Sequence, residues 1–528
     1  MSADAPADLE IGSFSDDAPW VLTDVAALPW RRRVRQVRDV VRREVPELTR
    51  PRRIPPVRRG LRVVRHLGQA IVLWQLREHR KGGSVSRAGV SRRLREAAEA
   101  LGPTYIKLGQ IISSGEGIFP AELVTEFRKC RDQVPPEDFA TVRTVLETEL
   151  RAPLDQVFAS IDTVPLAAAS IAQVHAATLI DGTEVVVKVQ RPSVSHLVHD
   201  DLRVMAWLAP LLIGRIPITA LANPPALVEL FAETISEELD FRLEADNMLD
   251  VARSFADLGQ RGYVIPRPHP ELVTPRVLVM ERLRGFAFDD VSSIQQAGIN
   301  THDIVRTGMI GFMEGCMIEG IFHGDLHGGN LFVQPDGRTA LLDFGITGRL
   351  DDARRLAFLR LMMSGTTGDS RMQLGALRDL GALPRDTDLD AVIADLGLDG
   401  PAVDPTTLAA DELVAELQRV VKLLLGYGAR MPKELMLFVK NLMFLDGAIA
   451  TLAPDIDLFE EITHIAMHFA TTHGERLAAE LGMQGDEVYQ VDMDGMKDAM
   501  GIDRSIETLT YRDIQDRRDL IRKRLRRG

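Results

Sequence analysis

One run constrains the fold more than any other: HGDLHGGNLFVQPDGRTALLDFG, residues 323–345. Two short apolar segments, LFV and TALL, flank Asp336-Gly337, a tight hairpin turn. That hairpin would bring Asp343 back beside Asn330. Asn330 follows Asp325 by 5 residues, and Asp343 follows it by 18. Phosphoryl transfer needs such a set: a carboxylate that orients the attacking hydroxyl, then an amide and a carboxylate oxygen for Mg²⁺ on the phosphates. His323 and His327 have a zinc-like His-x3-His spacing. No Glu stands between them, no third N or S ligand is near, and Gly324, Gly328 and Gly329 oppose a helix. They are expected to orient the loop.

Upstream, VHAATLI and TEVVVKVQ are β-rich runs joined through Asp181-Gly182, a hairpin signal. Lys188 interrupts the second run. A buried ammonium is costly unless paired, so Lys188 should face an anion or a carboxylate. Candidate partners lie on SEELDFRLEADN, where Asp240 and Glu244 share a helix face and Glu238 points elsewhere. Spacing leaves open which member pairs. Ala167-Ala168-Ala169-Ser170 precede the hairpin. Alanines let a backbone approach phosphates, though they restrict φ more than glycine. A further strand, Arg276 to Glu281, follows a helical stretch from Pro225 to about Leu258, and the remainder is mostly helical. Strands followed by helices, with polar loops at the join, make an α+β layout.

Charge is unevenly spread. The 528 residues carry a net −13, yet Trp30 to Arg95 hold 21 Arg or Lys against 4 Asp or Glu. Val34, Val37, Val41 and Val45 fall at helical spacing among arginines, giving a basic amphipathic helix that Pro46, Pro51, Pro55 and Pro56 should stop. A second, more apolar helix runs from Leu61 to Glu78. Basic flanks around an apolar face suit an anionic membrane surface; equally, the helices could pack on the body with their arginines solvated. No aromatic stacking platform accompanies the charge, so nucleic acid is not expected. No uninterrupted apolar stretch is long enough for a transmembrane helix; Val204 to Ala222 contains Arg215, Pro210 and Pro217. The start, MSADAPADLEIGSFSDDAP, has no signal-peptide pattern. Residues 1–29 are expected to be disordered. With only Cys130 and Cys316, a disulfide framework is excluded. The expected place is the cytoplasm, peripheral at the inner face of the membrane.

Together these residues resemble the UbiB/AarF-type atypical kinases, the ADCK or coenzyme Q kinase-like family, over Val90 to Pro454. Four motifs carry the likeness: Lys-x-Gly-Gln at Lys107–Gln110, AAASIAQVH at Ala167–His175, ELDFRLEADN at Glu238–Asn247, and the HGDLHGGN and DFG loops. The resemblance implies an α+β, protein-kinase-like two-lobed fold with an N-terminal helical extension, and ATP (or ADP) with Mg²⁺ between the lobes. It implies Lys188 on the phosphates with Glu244 as its partner, and Ala167, Ala168, Ala169 and Ser170 as the phosphate loop. Met280 and Glu281 would belong to the adenine hinge. Asp325 would be the catalytic acid, and Asn330 and Asp343 the Mg²⁺ ligands. Lys107 and Gln110, with Glu238 and Asp240, would be regulatory, restraining transfer to protein substrates. The divisions are 1–29 disordered acidic tail, 30–89 basic helical segment, 90–157 helical extension, 158–281 N-lobe, 282–455 helical C-lobe and 456–528 C-terminal helical extension. The function implied is an ATP-dependent kinase or ATPase supporting isoprenoid-quinone biosynthesis or membrane-lipid homeostasis, with an isoprenoid lipid as a partner and room for a homodimer. The alternatives are a small-molecule phosphotransferase of the aminoglycoside or macrolide type and a non-catalytic nucleotide-binding scaffold.

Overall fold

The structure, a computed structural model, describes residues 14–482 except 23, 52–53, 114–118, 131–134, 193, 213–223, 368, 399–418, 421–422 and 425; beyond 482 it describes 497, 503, 505–516 and 518. The chain forms two compact units. The first comprises Met1–Arg253, Ile265–Arg284 and Leu342–Ile346; the second comprises Ser254–Val264, Gly285–Leu341 and Thr347–Gly528.

The first unit is built on an antiparallel sheet. Its strands are β1 (Phe158–Ile161), β2 (Ala167–Ala168), β3 (Ala172–Leu179), β4 (Glu184–Gln190), β6 (Pro268–Val273) and β7 (Val277–Glu281), ordered β1-β3-β4-β7-β6 with β2 on β3. The Asp181-Gly182 turn forms as expected, Gly182 taking a φ of +91° that a side chain would resist. Val185, Val187 and Val189 alternate onto one face with Val277 and Val279. They meet Val142, Val145 and Leu146 of helix α6 (Phe139–Leu150). The other helices of this unit are α1 (Val34–Thr49), α2 (Val57–Arg77), α3 (Gly83–Leu101), α4 (Pro103–Ser113), α5 (Ala121–Phe127), α7 (Val194–Leu212), α8 (Pro224–Glu238) and α9 (Phe241–Asp257), the last of which ends in the second unit.

Three expectations are corrected here. The described residues among 14–29 are packed, against the expected disorder: Phe14, Leu22, Val25 and Leu28 are buried. The indoles of Trp20 and Trp30 donate to the Pro268 and His269 carbonyls of β6, at 3.1 and 3.3 Å. Apolar burial along a sheet edge thus outweighs the acidic composition of this segment. Residues 1–13 lie outside the described residues. Secondly, Pro46 does not stop α1. Val45 and Leu48, on either side of it, are buried, and their packing holds the last turn together. Thirdly, the arginines of the N-terminal segment are not all solvated. Arg59 forms a buried pair with Asp201 of α7 at 2.5 Å, and Arg31 and Arg38 pair with Asp246 of α9 at 2.6 and 2.7 Å.

The second unit holds a small sheet, β5 (Tyr263–Val264), β11 (Thr339–Leu341), β10 (Leu331–Val333) and β8 (Phe286–Ala287), and the pair β9 (Ile321–His323) with β12 (Thr347–Arg349). The hairpin at Asp336-Gly337 forms as expected, with Leu331 opposite Leu341. Around it lie α10 (Val291–Gln296), α11 (Thr301–Glu314), α12 (Asp352–Thr367), α13 (Ser370–Asp379), α14 (Leu389–Leu396), α15 (Lys433–Leu452) and α16 (Leu458–Leu481). Immediately after Glu314, α11 gives way to a π-helical turn, Gly315–Glu319. Among the described residues α15 alone is long and apolar enough to cross a membrane. Here it serves as a core helix, Phe438 packing on Phe312 and Phe358 with ring centroids 5.4 and 4.6 Å apart. The basic C-terminal end, residues 519–528, lies outside the described residues.

Candidate functional site

In the first unit, the polar residues of ELDFRLEADN divide into separate tasks. Asp240 sits between α8 and α9, accepts from the Arg242 amide at 3.1 Å, and binds the Arg242 guanidinium at 2.9 and 2.6 Å. It therefore starts α9 and does not pair with Lys107. Glu238, the last residue of α8, takes Lys107 of α4 at 3.0 Å. Glu244, one turn into α9, accepts from Lys188 at 2.7 Å. Asn247 donates its amide to the Phe344 carbonyl at 2.8 Å and so fixes the turn that presents Asp343.

Lys188 is the centre of this set. It lies on β4 between Val174 of β3 and Leu278 of β7, and it is 8% exposed. Its ammonium also donates to Asp343 Oδ2 at 3.0 Å. Burial alone would favour the neutral amine, but the Asp343 and Glu244 carboxylates outweigh it and hold Lys188 charged, its pKa above the ordinary lysine value. Burial would likewise raise Asp343. Lys188, Lys107 and the Gly345 amide, which donates to Asp343 Oδ1 at 2.9 Å, instead hold it well below the usual carboxylate range. Glu244 is different: burial, reinforced by the charge of Asp343, pushes it up to about 7 against the pull of Lys188.

The Ala167–Ser170 segment is tied down by its own neighbours. The Ala169 amide donates to the Ala172 carbonyl at 2.8 Å, and its carbonyl accepts from Arg191 at 3.0 Å. The same guanidinium holds Glu137 at 3.0 Å and the Pro135 carbonyl at 2.9 Å. Gln173 and His175, buried beneath, form a chain. The Glu137 amide donates to Gln173 Oε1, Gln173 Nε2 lies 2.8 Å from His175 Nε2, and His175 Nδ1 lies 2.7 Å from the Asp162 carbonyl. A carbonyl only accepts, so the imidazole carries its proton on Nδ1 and accepts at Nε2. Gln173 and His175 thus brace the alanine loop.

At the end of β7, Met280 is buried and the Glu281 carboxylate accepts from the Arg267 amide at 3.1 Å and from the Ser15 hydroxyl. The Glu281 amide donates to the Arg267 carbonyl at 2.9 Å. The expected hinge residue is therefore engaged within its own unit at both its side chain and its amide. Lys107, Gly109 and Gln110 lie on α4. A Cβ at Gly109 would stand 2.4 Å from the Phe127 ring of α5, so close helix packing requires that glycine.

The second unit carries Asp325 and Asn330. His323 and His327 do orient the loop: each accepts a backbone N–H at Nδ1, from Asp325 and Gly329 respectively, both at 3.1 Å. Asn330 donates its amide N–H to the Asp325 carbonyl at 3.1 Å, which turns its amide oxygen toward the acceptor role a metal requires. Two residues were missed by sequence reasoning. Lys440 of α15 pairs with the Asp325 carboxylate. Asn441, fully buried, accepts from the Leu326 amide at 3.0 Å and donates to the His323 carbonyl. The available signal was two adjacent polar residues interrupting an apolar helix.

Each unit carries donors of the kind a magnesium nucleotide takes: in the first, Asp343 is held ionised and Lys188 is a fixed cation, and in the second, Asn330 offers an amide oxygen. Magnesium, when bound to a nucleotide, would neutralise charge on the phosphates.

Residues 129–374 match the ABC1 atypical kinase-like domain. An uncharacterized protein of Mycobacterium tuberculosis is 35% identical over 67% of this chain and 73% of its own length. An aarF domain-containing protein kinase from Arabidopsis thaliana chloroplasts is 33% identical over 70% and 73%. A protein of Aliivibrio fischeri named "Probable protein kinase UbiB" is 32% identical over 70% and 68%. With its strand lysine, its helix glutamate and its HGDLHGGN and DFG loops in a kinase-like fold, the chain belongs to the ABC1 family of atypical kinases, which includes the UbiB and aarF domain-containing proteins.

Proposed function

We propose that this protein is a Mg²⁺-dependent ATP phosphotransferase or ATPase. The observation that carries this reading is Lys188, buried and held charged by both Glu244 and Asp343. A lysine so fixed presents an oriented cation to phosphate without further ordering. In this reading Asp325 orients the attacking hydroxyl or water and takes its proton, and Lys440 positions that carboxylate. Asn330 and Asp343 hold the metal. Lys107, paired with Glu238 and close enough to lower the pKa of Asp343, restrains transfer to protein substrates. The braced Ala167–Ser170 loop adds to that restraint, its Ala169 amide already committed.

In this reading the activity is exercised on or near a lipid surface and supports isoprenoid-quinone biosynthesis or membrane-lipid homeostasis. Support comes from α2. Its buried face carries Arg59, Val63 and Ala70, while Val57, Leu61, Val64, Val72 and Leu76 share the opposite face and are exposed. Arg58, Arg62 and Arg65 are exposed beside that stripe. An apolar stripe flanked by arginines suits an anionic lipid surface.

The test is nucleotide-dependent stabilisation and turnover. Mg-ATP should raise the melting temperature of the parent and fail to raise that of Asp343→Asn. Asp325→Asn should keep the stabilisation and lose ATP hydrolysis by on the order of a hundredfold or more. Equal Mg-ATP stabilisation of the parent and Asp343→Asn would overturn the reading.

A further inference from the structure

The second unit contains a cluster that phosphoryl transfer does not use. Glu314, the last residue of α11, has a side chain only 3% exposed. Its Oε1 lies 2.8 Å from Nε2 of His468 and 2.8 Å from Nε2 of His473, both on α16. The three ligand atoms lie within 4.8 Å of one another. Phe469 packs against both imidazoles, with ring centroids 5.9 and 5.6 Å away.

Other carboxylates of α16 have arginine partners: buried Glu461 takes Arg306 at 2.8 Å, and half-buried Glu480 takes Arg355 at 2.7 Å. Glu314 has no lysine or arginine partner among the described residues, only the two histidines. A buried carboxylate needs a compensating charge, from a protonated imidazole or from a bound cation. A divalent ion supplies it, and neutral imidazoles then offer Nε2 lone pairs as ligands. The carboxylate also stands where α11 turns into the π-helical segment, a local distortion common at functional sites. Gly315 of that segment lies against the Ile321 carbonyl of β9, the strand that leads into the Asp325 loop.

We infer that Glu314, His468 and His473 form a binding site for a divalent transition-metal ion of the zinc class, which fastens α16 to α11 behind β9. One carboxylate and two imidazoles suit borderline cations better than Mg²⁺ or Ca²⁺. His468, about one-third exposed, leaves a path for entry and room for a solvent ligand.

The experiment is metal titration of the full chain after stripping with a chelator, using Co²⁺ and Zn²⁺ alone. One Co²⁺ per chain should bind with the visible absorption of a low-symmetry nitrogen and oxygen site. Zn²⁺ should displace it and raise the melting temperature. His468→Ala, chosen because the side chain is partly exposed, should fold and keep its Mg-ATP response while binding Co²⁺ on the order of a hundredfold more weakly. Glu314→Gln should also lose affinity. Absence of saturable Co²⁺ uptake by the stripped parent overturns the inference. So does unchanged affinity in both variants, since the ion then sits on other side chains.

Discussion

Lys188 and Glu244 show how far one side chain's meaning depends on its neighbours. Lys188→Met removes the cation that pairs with both Glu244 and Asp343, the first of them 3% exposed. The variant should lose about 3 kcal/mol of stability, because breaking a buried pair leaves a charge uncompensated. Urea denaturation measures this, and an unchanged midpoint contradicts it. Glu244 adds a pH dependence of definite sign. Its pKa rises from 4.5 to about 7 on folding, so the folded state holds the proton more tightly. Its contribution is most favourable below about 4.5 and is lost as pH climbs through 7. Glu244→Gln has no such proton to release. Between pH 5 and 8 the parent should therefore lose on the order of 2 kcal/mol relative to that variant. Equal pH slopes in urea unfolding would show that the two states bind this proton alike.

At the scale of elements, polar residues placed in apolar helices do the positioning. Asn441 on α15 satisfies a carbonyl at His323 and an amide at Leu326, so one buried side chain joins the helix to both ends of the turn. Asn441→Leu keeps similar volume and strands both groups. It should cost about 2 kcal/mol or more, since unpaired buried polar groups cost about 1–3 kcal/mol each. Comparison with Asn441→Asp, which keeps the acceptor, would locate the loss; a Leu variant as stable as the parent rules the role out. The same element shows why hydropathy alone misleads. α15 has the length and apolar character of a span, yet it presents Lys440 to Asp325 and packs Phe438 in an aromatic cluster. On α2 the two faces separate: one is buried through the Arg59–Asp201 pair, and the other leaves Leu61 and Leu76 at 67% and 75% exposure. Deleting this helix would expose Asp201, so point changes on the outer stripe are the proper test of its purpose.

For the whole molecule, the uneven charge becomes a property that can be measured. Several N-terminal arginines are consumed by Asp201, Asp246 and Asp250, whereas Arg32, Arg33, Arg42, Arg58, Arg62 and Arg65 have no ion pair among the described residues. Each cation near an anionic surface contributes about 1 kcal/mol, screened by salt. Co-sedimentation with anionic vesicles should fall as ionic strength rises, and Leu61→Asp with Leu76→Asp should reduce it even at low salt. Binding indifferent to both changes would refute the lipid-surface role. The hairpins at Gly182 and Gly337, the loop around Asp325 and the need of Lys188 for a counter-charge were legible in the sequence. Each follows from turn chemistry, a two-residue period or the cost of burying charge, all of which act locally. The sequence left open whether Asp240 or Glu244 takes Lys188; the family resemblance pointed to Glu244, and the break between α8 and α9 explains why, by committing Asp240 to starting a helix. Folding also brings Lys440 to Asp325 across 115 residues, and it carries Leu342–Ile346, with Asp343, into the first unit while the hairpin just before it belongs to the second. The segment 14–29 looked disordered by composition, yet Phe14, Leu22, Val25 and Leu28 are buried and the Trp20 indole bonds the edge strand of a sheet elsewhere in the chain. By itself the sequence determined which groups needed partners; only the tertiary structure decided which partners they found, because burial and long-range packing carry no local period.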